Sequence, residues 1–229
     1  MNNIVELHNI DKTYPGGGGS QVLFGIELSF EAGSFNSIVG QSGSGKTTLL
    51  NIMGTLDKPD RGEVIITGKR TDVMSKDKVA ELRNEVIGFI FQFHFLLPEF
   101  TALENVLIPC RIKQNHLSKE VLKRADDLFD LVGIAKVKHN PATRMSGGQQ
   151  QRTAIIRALI NNPKIILADE PSGNLDSVNT EGIYQTFRDI NKEFGTTFII
   201  VTHDRRIADQ TDRIVEIQDG RIKWDIKRS

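Results

Sequence analysis

The sequence predicts an α/β fold: a parallel sheet covered by helices, joined to an antiparallel β layer and a helical insertion. Three observations carry this. From residue 34 onward, short apolar runs alternate with helical patterns, the arrangement that builds a parallel sheet buried on both faces. The first 30 residues instead alternate at period 2, as half-buried antiparallel strands do. The middle of the chain, about 101–161, is mostly helical in pattern.

The elements follow in order. Residues 4–10 read as a strand, and Phe24, Ile26, Leu28 and Phe30 alternate along a second. Between them, Pro15, the glycines at 16–19 and Ser20 form a turn too short to link domains. Residues 34–39 are a short apolar strand, followed by a glycine-rich loop and a helix beginning near Lys46. A strand over 63–67, a helix over 76–86 and a buried strand over 87–91 come next. Val121, Leu122, Ala125, Leu128, Phe129 and Val132 recur at helical spacing, with Ser118 as N-cap and Gly133 past the end. Strand and helix then alternate again: 164–168, a helix over 178–194 closed by Gly195, and 197–202. Asp219-Gly220 between 214–218 and 221–226 signals a hairpin.

Composition excludes several classes. The 229 residues carry 29 Lys+Arg against 29 Asp+Glu, a formal net charge of zero. That balance argues against a nucleic-acid partner, whose usual footprint is a basic surplus, and against a polybasic membrane patch. The longest apolar run, 86–91, is far short of the ~20 residues that span a bilayer, so no direct membrane insertion is expected. The N-terminus lacks a signal-peptide pattern, and the single cysteine, Cys110, forms no intrachain disulfide and reads as a small buried hydrophobe. The chain is expected to be intracellular. No cluster of Cys, His or acids has structural-metal spacing.

Three motifs carry chemistry. Gly40-Gln41-Ser42-Gly43-Ser44-Gly45-Lys46-Thr47 matches G-x-x-x-x-G-K-[ST], set between an apolar strand and a helix. Its glycines let backbone N–H groups turn inward onto phosphate oxygens, and the helix N-terminus adds partial positive charge. Lys46 supplies a full charge for the β- and γ-phosphates, and the Thr47 hydroxyl is the expected Mg²⁺ ligand. In Ile165-Ile166-Leu167-Ala168-Asp169-Glu170, a buried strand ends in two acids. Alternation puts them on opposite faces, so Asp169 is expected to hold Mg²⁺, through water, and Glu170 to act as general base. Met145-Ser146-Gly147-Gly148-Gln149 caps a helix and makes a second anion-suited N-terminus. One nucleotide does not need two such sites, which suggests that two chains share each nucleotide.

In this order GQSGSGKT, Gln92, MSGGQ, ILADE, Asn174-Leu175-Asp176 and His203 resemble an ABC-transporter ATP-binding subunit over nearly all of the chain. The one small departure is Met145, where Leu is usual. The resemblance implies a P-loop NTPase (RecA-like) core with an antiparallel β subdomain and a helical signature subdomain: one domain over 1–229, with 1–92 and 159–229 as core and β layer and 93–158 as the helical part. It implies ATP and Mg²⁺ as cofactors and a head-to-tail homodimer with two nucleotides at the interface. Tyr14 would stack on adenine. Gly40, Ser42, Gly43, Ser44, Gly45, Lys46, Thr47 and Thr48 would hold phosphates. Ser146, Gly147, Gly148 and Gln149 would reach the γ-phosphate held by the other copy, and Asp176 would contact the dimer partner. Gln92 would reach Mg²⁺ and the attacking water, and His203 would contact γ-phosphate and orient Glu170.

Residues 93–106 read FHFLLPEFTALENV and normally face the membrane partner. They resemble the ATP-binding subunit of the lipoprotein-releasing (LolD-type) branch, with His94 and Pro98-Glu99-Phe100 as the specific marks. Separate transmembrane permease subunits would dock there, holding the chain on the cytoplasmic face of the inner membrane. ATP-driven closure of the dimer would push on them and extract lipoprotein. Macrolide- and peptide-type efflux or resistance ATPases share the 168–176 stretch and remain alternatives, as does a force-relay signalling complex, which the ATPase sequence separates poorly from lipoprotein release; a non-transport ABC ATPase would carry coiled coils or a second ATPase unit.

Overall fold

In the computed structural model the described residues are 2–15, 20–113, 116–173 and 177–228, with the side chains of 177–179 excepted. The expected glycine turn at 16–19 and the motif residues Asn174, Leu175 and Asp176 lie outside them.

Two sheets form the framework. The first is antiparallel, order β2-β1-β4-β5, from β1 (Asn3–Tyr14), β2 (Ser20–Glu31), β4 (Arg61–Ile66) and the short β5 (Lys69–Arg70). The second, order β10-β9-β3-β8-β7-β6, contains β3 (Phe35–Val39), β6 (Ile87–Phe91), β7 (Ile165–Asp169), β8 (Thr197–Val201), β9 (Arg213–Gln218) and β10 (Arg221–Lys227). Its strands pair in parallel except the β9–β10 hairpin. That hairpin turns at Asp219 and Gly220, both at positive φ, as the Asp-Gly signal requires.

Alternation divides the core. Ile165, Leu167, Ile199 and Val201 face one way, into a cluster with α1 (Lys46–Met53) and the antiparallel sheet. Ile166, Ala168, Phe198 and Ile200 face the other, into a cluster with α3 (Ala102–Lys113), α4 (Lys119–Leu131), α5 (Gly147–Leu159) and α6 (Ser177–Phe194). Burial on both faces is why these strands read as continuous apolar runs rather than alternating ones. The helix α2 (Lys76–Val86) starts at an N-cap, Ser75, whose side chain accepts from Lys78 N, and α4 starts at Ser118 in the same way. A short α7 (Arg205–Ala208), capped by Asp204, and β5 carried no sequence signal.

Two expectations of facing are corrected. Phe24 does not continue the inward row of Ile26, Leu28 and Phe30; Leu23 is buried in its place. The cause is Gly25, at φ 56, where the pairing of β2 with β1 shifts between Ile26 and Leu23, since an extra residue in a strand inverts every side chain before it. Phe24 instead lies under the Arg221 guanidinium. Leu122 is exposed although it shares the helical spacing of Ala125 and Phe129. Cys110 is buried as expected and also donates to Asn161 Oδ1 at 3.1 Å.

The approach of α5 to the sheet depends on Gly88. A Cβ there would stand 2.3 Å from the carbonyl oxygen of Ala158, a backbone atom that cannot rotate away. Gly88→Ala is expected to cost about 1–3 kcal/mol, the usual range for overpacking. The expected readout is a lower denaturant midpoint at unchanged slope.

Candidate active site

The site is assembled by strand register. Ile38 of β3 pairs with Val201 of β8, Val201 with Asp169 of β7, and Asp169 with Phe91 of β6. These four residues form one row across the sheet. Because the strands are parallel, their carboxyl ends open at one edge, where ligands bind in such sheets. The residues immediately beyond the row are the glycine-rich loop after Val39, then Thr202-His203, Glu170 and Gln92.

The loop's conformation needs its glycines. Gly40, Gly43 and Gly45 have φ of 155, 78 and 102. A Cβ on Gly40 would lie 2.2 Å from Ile217 O, and one on Gly45 would lie 2.8 Å from Leu23 Cδ2. Gly45 caps α1 with no side-chain hydrogen bond, so nothing in the cap competes for the N–H groups of Lys46, Thr47 and Thr48. Lys46 is buried and curls across the loop, donating from Nζ to Gly40 O at 2.9 Å and Gln41 O at 2.8 Å. Burial holds its pKa below the ordinary lysine value, against the opposing charges of Glu170 and Asp169. Ser44 Oγ is buried without a hydrogen-bond partner, the one such side-chain atom among the described residues. An orphaned polar atom inside a ring of inward-turned backbone is the mark of a cradle for an oxyanion. A cavity of about 890 Å³ runs beside Gly40, Ser42 and Ser44 to His203.

The two acids diverge as expected, though for a sharper reason than alternation. Asp169 ends β7 and accepts from Thr47 Oγ1 at 3.1 and 3.3 Å. Burial raises its pKa, the Thr47 bond and Lys46 oppose that, and the charge of Glu170 adds to it. Glu170 lies just past the strand at φ 45, a left-handed conformation unusual for a side chain of this size. There its N–H donates to Val201 O, and its carboxylate Oε1 accepts from His203 Nδ1 at 2.7 Å. A carboxylate only accepts, so His203 presents an Nδ1–H. Gln92 packs on the turn that follows: a Cβ on Gly173 would meet Gln92 Nε2 at 2.6 Å. The hydroxyl of Thr47 and the carboxylate of Asp169 form a hard oxygen pair, the donor chemistry Mg²⁺ takes. Among the described residues no group of three or more His, Cys, Asp or Glu could hold a metal without further ligands.

Tyr14 ends β1 beside Thr48 at the start of α1. Its hydroxyl donates to Asp57 Oδ2 at 2.7 Å, and Lys12 Nζ, itself 2.8 Å from Asp57 Oδ1, sits 5.0 Å over the ring. The members of this Lys12–Asp57 brace are separated by 45 residues, so no local pattern in the sequence announces it.

The Ser146–Gln149 motif stands apart. Ser146 caps α5 and forms a full capping box: its Oγ accepts from Gln149 N at 3.3 Å and its N–H donates to Gln149 Oε1 at 3.0 Å. Among the described residues no hydrogen bond links Ser146, Gly147, Gly148 or Gln149 to the loop or to Glu170. Gly147 has open space around its Cβ position. An accepting Ser146 hydroxyl still has its proton to donate outward. Asp176 falls outside the described residues.

Lys46→Ala is expected to weaken binding of a nucleoside triphosphate roughly ten- to a hundredfold, the worth of a charge-assisted hydrogen bond of about 1.5–3 kcal/mol. Titration with a fluorescent nucleotide checks it; unchanged affinity would exclude the loop as the phosphate cradle.

Comparison with known proteins agrees with this geometry. Residues 23–173 match the family model described as ABC transporter. The lipoprotein-releasing system ATP-binding protein LolD of Bacteroides thetaiotaomicron is 50% identical over 97% of this chain and 100% of its own length. LolD 1 of Rhodopseudomonas palustris is 45% identical over 97% and 99%. The dimeric structure of the ATP-binding cassette MJ0796 in a post-hydrolysis state, bound to ADP and Pi, superposes with a TM-score of 0.91 at 42% identity, covering 98% of this chain and 99% of that one. The chain belongs to the ABC transporter family, as one of its ATP-binding cassettes.

Proposed function

We propose that this chain is the ATP-hydrolysing subunit of a lipoprotein-releasing ABC system. It works as a homodimer on the cytoplasmic face of the inner membrane, bound to separate permease subunits. The observation that supports the hydrolytic part is the single row Ile38–Val201–Asp169–Phe91, which brings the glycine-rich loop, Asp169 and Glu170 to one edge. The substrate class is supported by full-length relatives at 45–50% identity whose names all specify lipoprotein release.

The residues divide the work. Tyr14 stacks on adenine. Backbone N–H groups of Gly43, Gly45, Lys46 and Thr47, with the Ser42, Ser44 and Thr48 positions beside them and the Lys46 ammonium, bind the β- and γ-phosphates. Thr47, Asp169 through water, and Gln92 would hold Mg²⁺, which when bound neutralises charge on the phosphate oxygens. Glu170 accepts a proton from the attacking water, so that ATP and water give ADP and phosphate. His203 holds the Glu170 carboxylate through Nδ1–H and presents its ring to the γ-phosphate. Ser146, Gly147, Gly148 and Gln149 complete the site of a second copy, and Asp176 lies in the dimer contact. This explains why one chain keeps the two anion sites apart. The helical part, 93–158, faces the permease. Phe93 and Phe95 are each 63% exposed, Leu97 44% and Phe100 40%, an apolar surface suited to gripping a partner helix. Among the described residues no helix is long and apolar enough to cross a membrane.

Glu170→Gln is expected to lower turnover about 10²- to 10⁴-fold, the usual worth of a positioned base, while ATP binding persists and a closed dimer accumulates on size exclusion. Wild-type turnover would remove Glu170 from this role. Ser146→Arg mixed with wild type is expected to inactivate sites whose own phosphate loop is intact; full activity of mixed dimers would refute the shared site. Co-purified membrane subunits should have few spans and a large extracytoplasmic domain, and a compact many-span importer would overturn the lipoprotein reading.

A further inference from the structure

His94, a mark of this sequence with no chemistry assigned to it, makes a contact that reaches the catalytic turn. Its Nδ1 lies 2.5 Å from Gln151 Oε1, and Gln151 Nε2 donates to the carbonyl oxygen of Pro171 at 2.5 Å. Gln151 is on α5 and wholly buried. Its amide has one acceptor and one donor side, and the donor side is committed to Pro171. The imidazole must therefore offer Nδ1–H to the remaining oxygen.

We infer that Gln151 and His94 are positioning residues for hydrolysis, forming a bridge through which the Phe93–Phe95 loop sets the turn that carries Glu170. Both ends of the bridge are held tightly. On the loop side, Arg157, also on α5, donates to His94 O and Phe95 O at 2.7 Å each. Phe95 has φ 46 and stacks edge-on against Phe91. On the catalytic side, Pro171 directly follows Glu170 at φ 45, and Gly173 N–H closes the turn onto Glu170 O at 3.0 Å. Gln92 packs on that turn at Gly173. Two bulky residues in the left-handed region, one at each end, persist only where surrounding contacts over-determine them. The Gln151 bond to Pro171 is such a contact, and it is the one that continues to the exposed aromatic loop. A shift of Phe93 or Phe95 moves His94, and the fully buried amide transmits that displacement to the backbone of the general base. The bridge rests on the reading of residues 93–106 as the permease contact only for what moves it, not for the link itself.

The experiment compares wild type, His94→Ala, His94→Asn and Gln151→Leu, as the full chain and in the complex with its co-purified permease. Asparagine can place an N–H where the imidazole Nδ1–H stands. In ¹⁵N spectra of imidazole-labelled wild type, His94 is expected as the Nδ1–H tautomer, reverting toward the Nε2–H form of a free imidazole in Gln151→Leu. His94→Ala and Gln151→Leu are expected to lower kcat roughly ten- to a hundredfold, the cost of a small misplacement of a reacting group, with KM for ATP unchanged. In the complex they are also expected to abolish permease stimulation, and His94→Asn is expected to restore both. Wild-type kcat and stimulation in His94→Ala, an asparagine variant as impaired as alanine, or a change confined to KM would each overturn the inference. If Gln151→Leu melts below assay temperature, the His94 pair decides. If no permease associates with wild type, the proposed function fails, while the tautomer and the kcat of the isolated chain still test the bridge.

Discussion

The parallel register of four strands is the constraint on which the molecule depends. Backbone hydrogen bonds lock Ile38, Val201, Asp169 and Phe91 side by side, so four segments far apart in sequence end at one edge. Slipping any strand by one residue would exchange its two faces and move its terminal residue off the row. The core enforces this register. Ile165 and Leu167 enter one apolar cluster while Ile166 and Ala168 enter the other, and a one-residue slip of β7 would exchange the two pairs and mismatch the side chains packed against each.

On that edge the charges are organised by burial. Burial pushes the Lys46 pKa down and that of Asp169 up, while the opposite charges at this edge hold each against the shift. Each charged form is costly alone and is stabilised by an opposite charge or by hydrogen bonds. Lys46 meets this cost with two loop carbonyls, Asp169 with the Thr47 hydroxyl, and Glu170 with His203. The orphaned Ser44 hydroxyl is the one buried side-chain polar atom among the described residues left without a partner, and it lies within this loop.

The helix α5 joins three parts of the protein. Its N-terminus presents the capped Ser146 motif outward, its middle reaches the Glu170 turn through Gln151, and its last turns hold the aromatic loop through Arg157. It packs on β6 only because Gly88 offers no side chain. A rigid helix with functional contacts along its length conveys displacement between them, which suits a machine that must link nucleotide state to a membrane partner.

Much of the fold was legible in sequence. The α2 and β6 limits match the helical pattern over 76–86 and the apolar run at 87–91, and the glycine-rich loop and Asp169-Glu170 announce themselves because their chemistry needs fixed residue types at fixed spacing. Facing was read wrongly at Phe24, since a single bulge at Gly25 inverts a strand without altering its composition. The sequence by itself determined which residues bear charge, which turns require glycine, and the order of strand and helix. Only the tertiary structure decided that Asp169 meets Thr47 across 122 positions, that Lys12 and Asp57 brace Tyr14, that Glu170 adopts a left-handed backbone, and that Gln151 ties His94 to Pro171. The physical reason is the same in each case. Local patterns encode local hydrogen bonding and periodicity, whereas these contacts exist only after non-local strand pairing has placed the carboxyl ends of distant strands in one row.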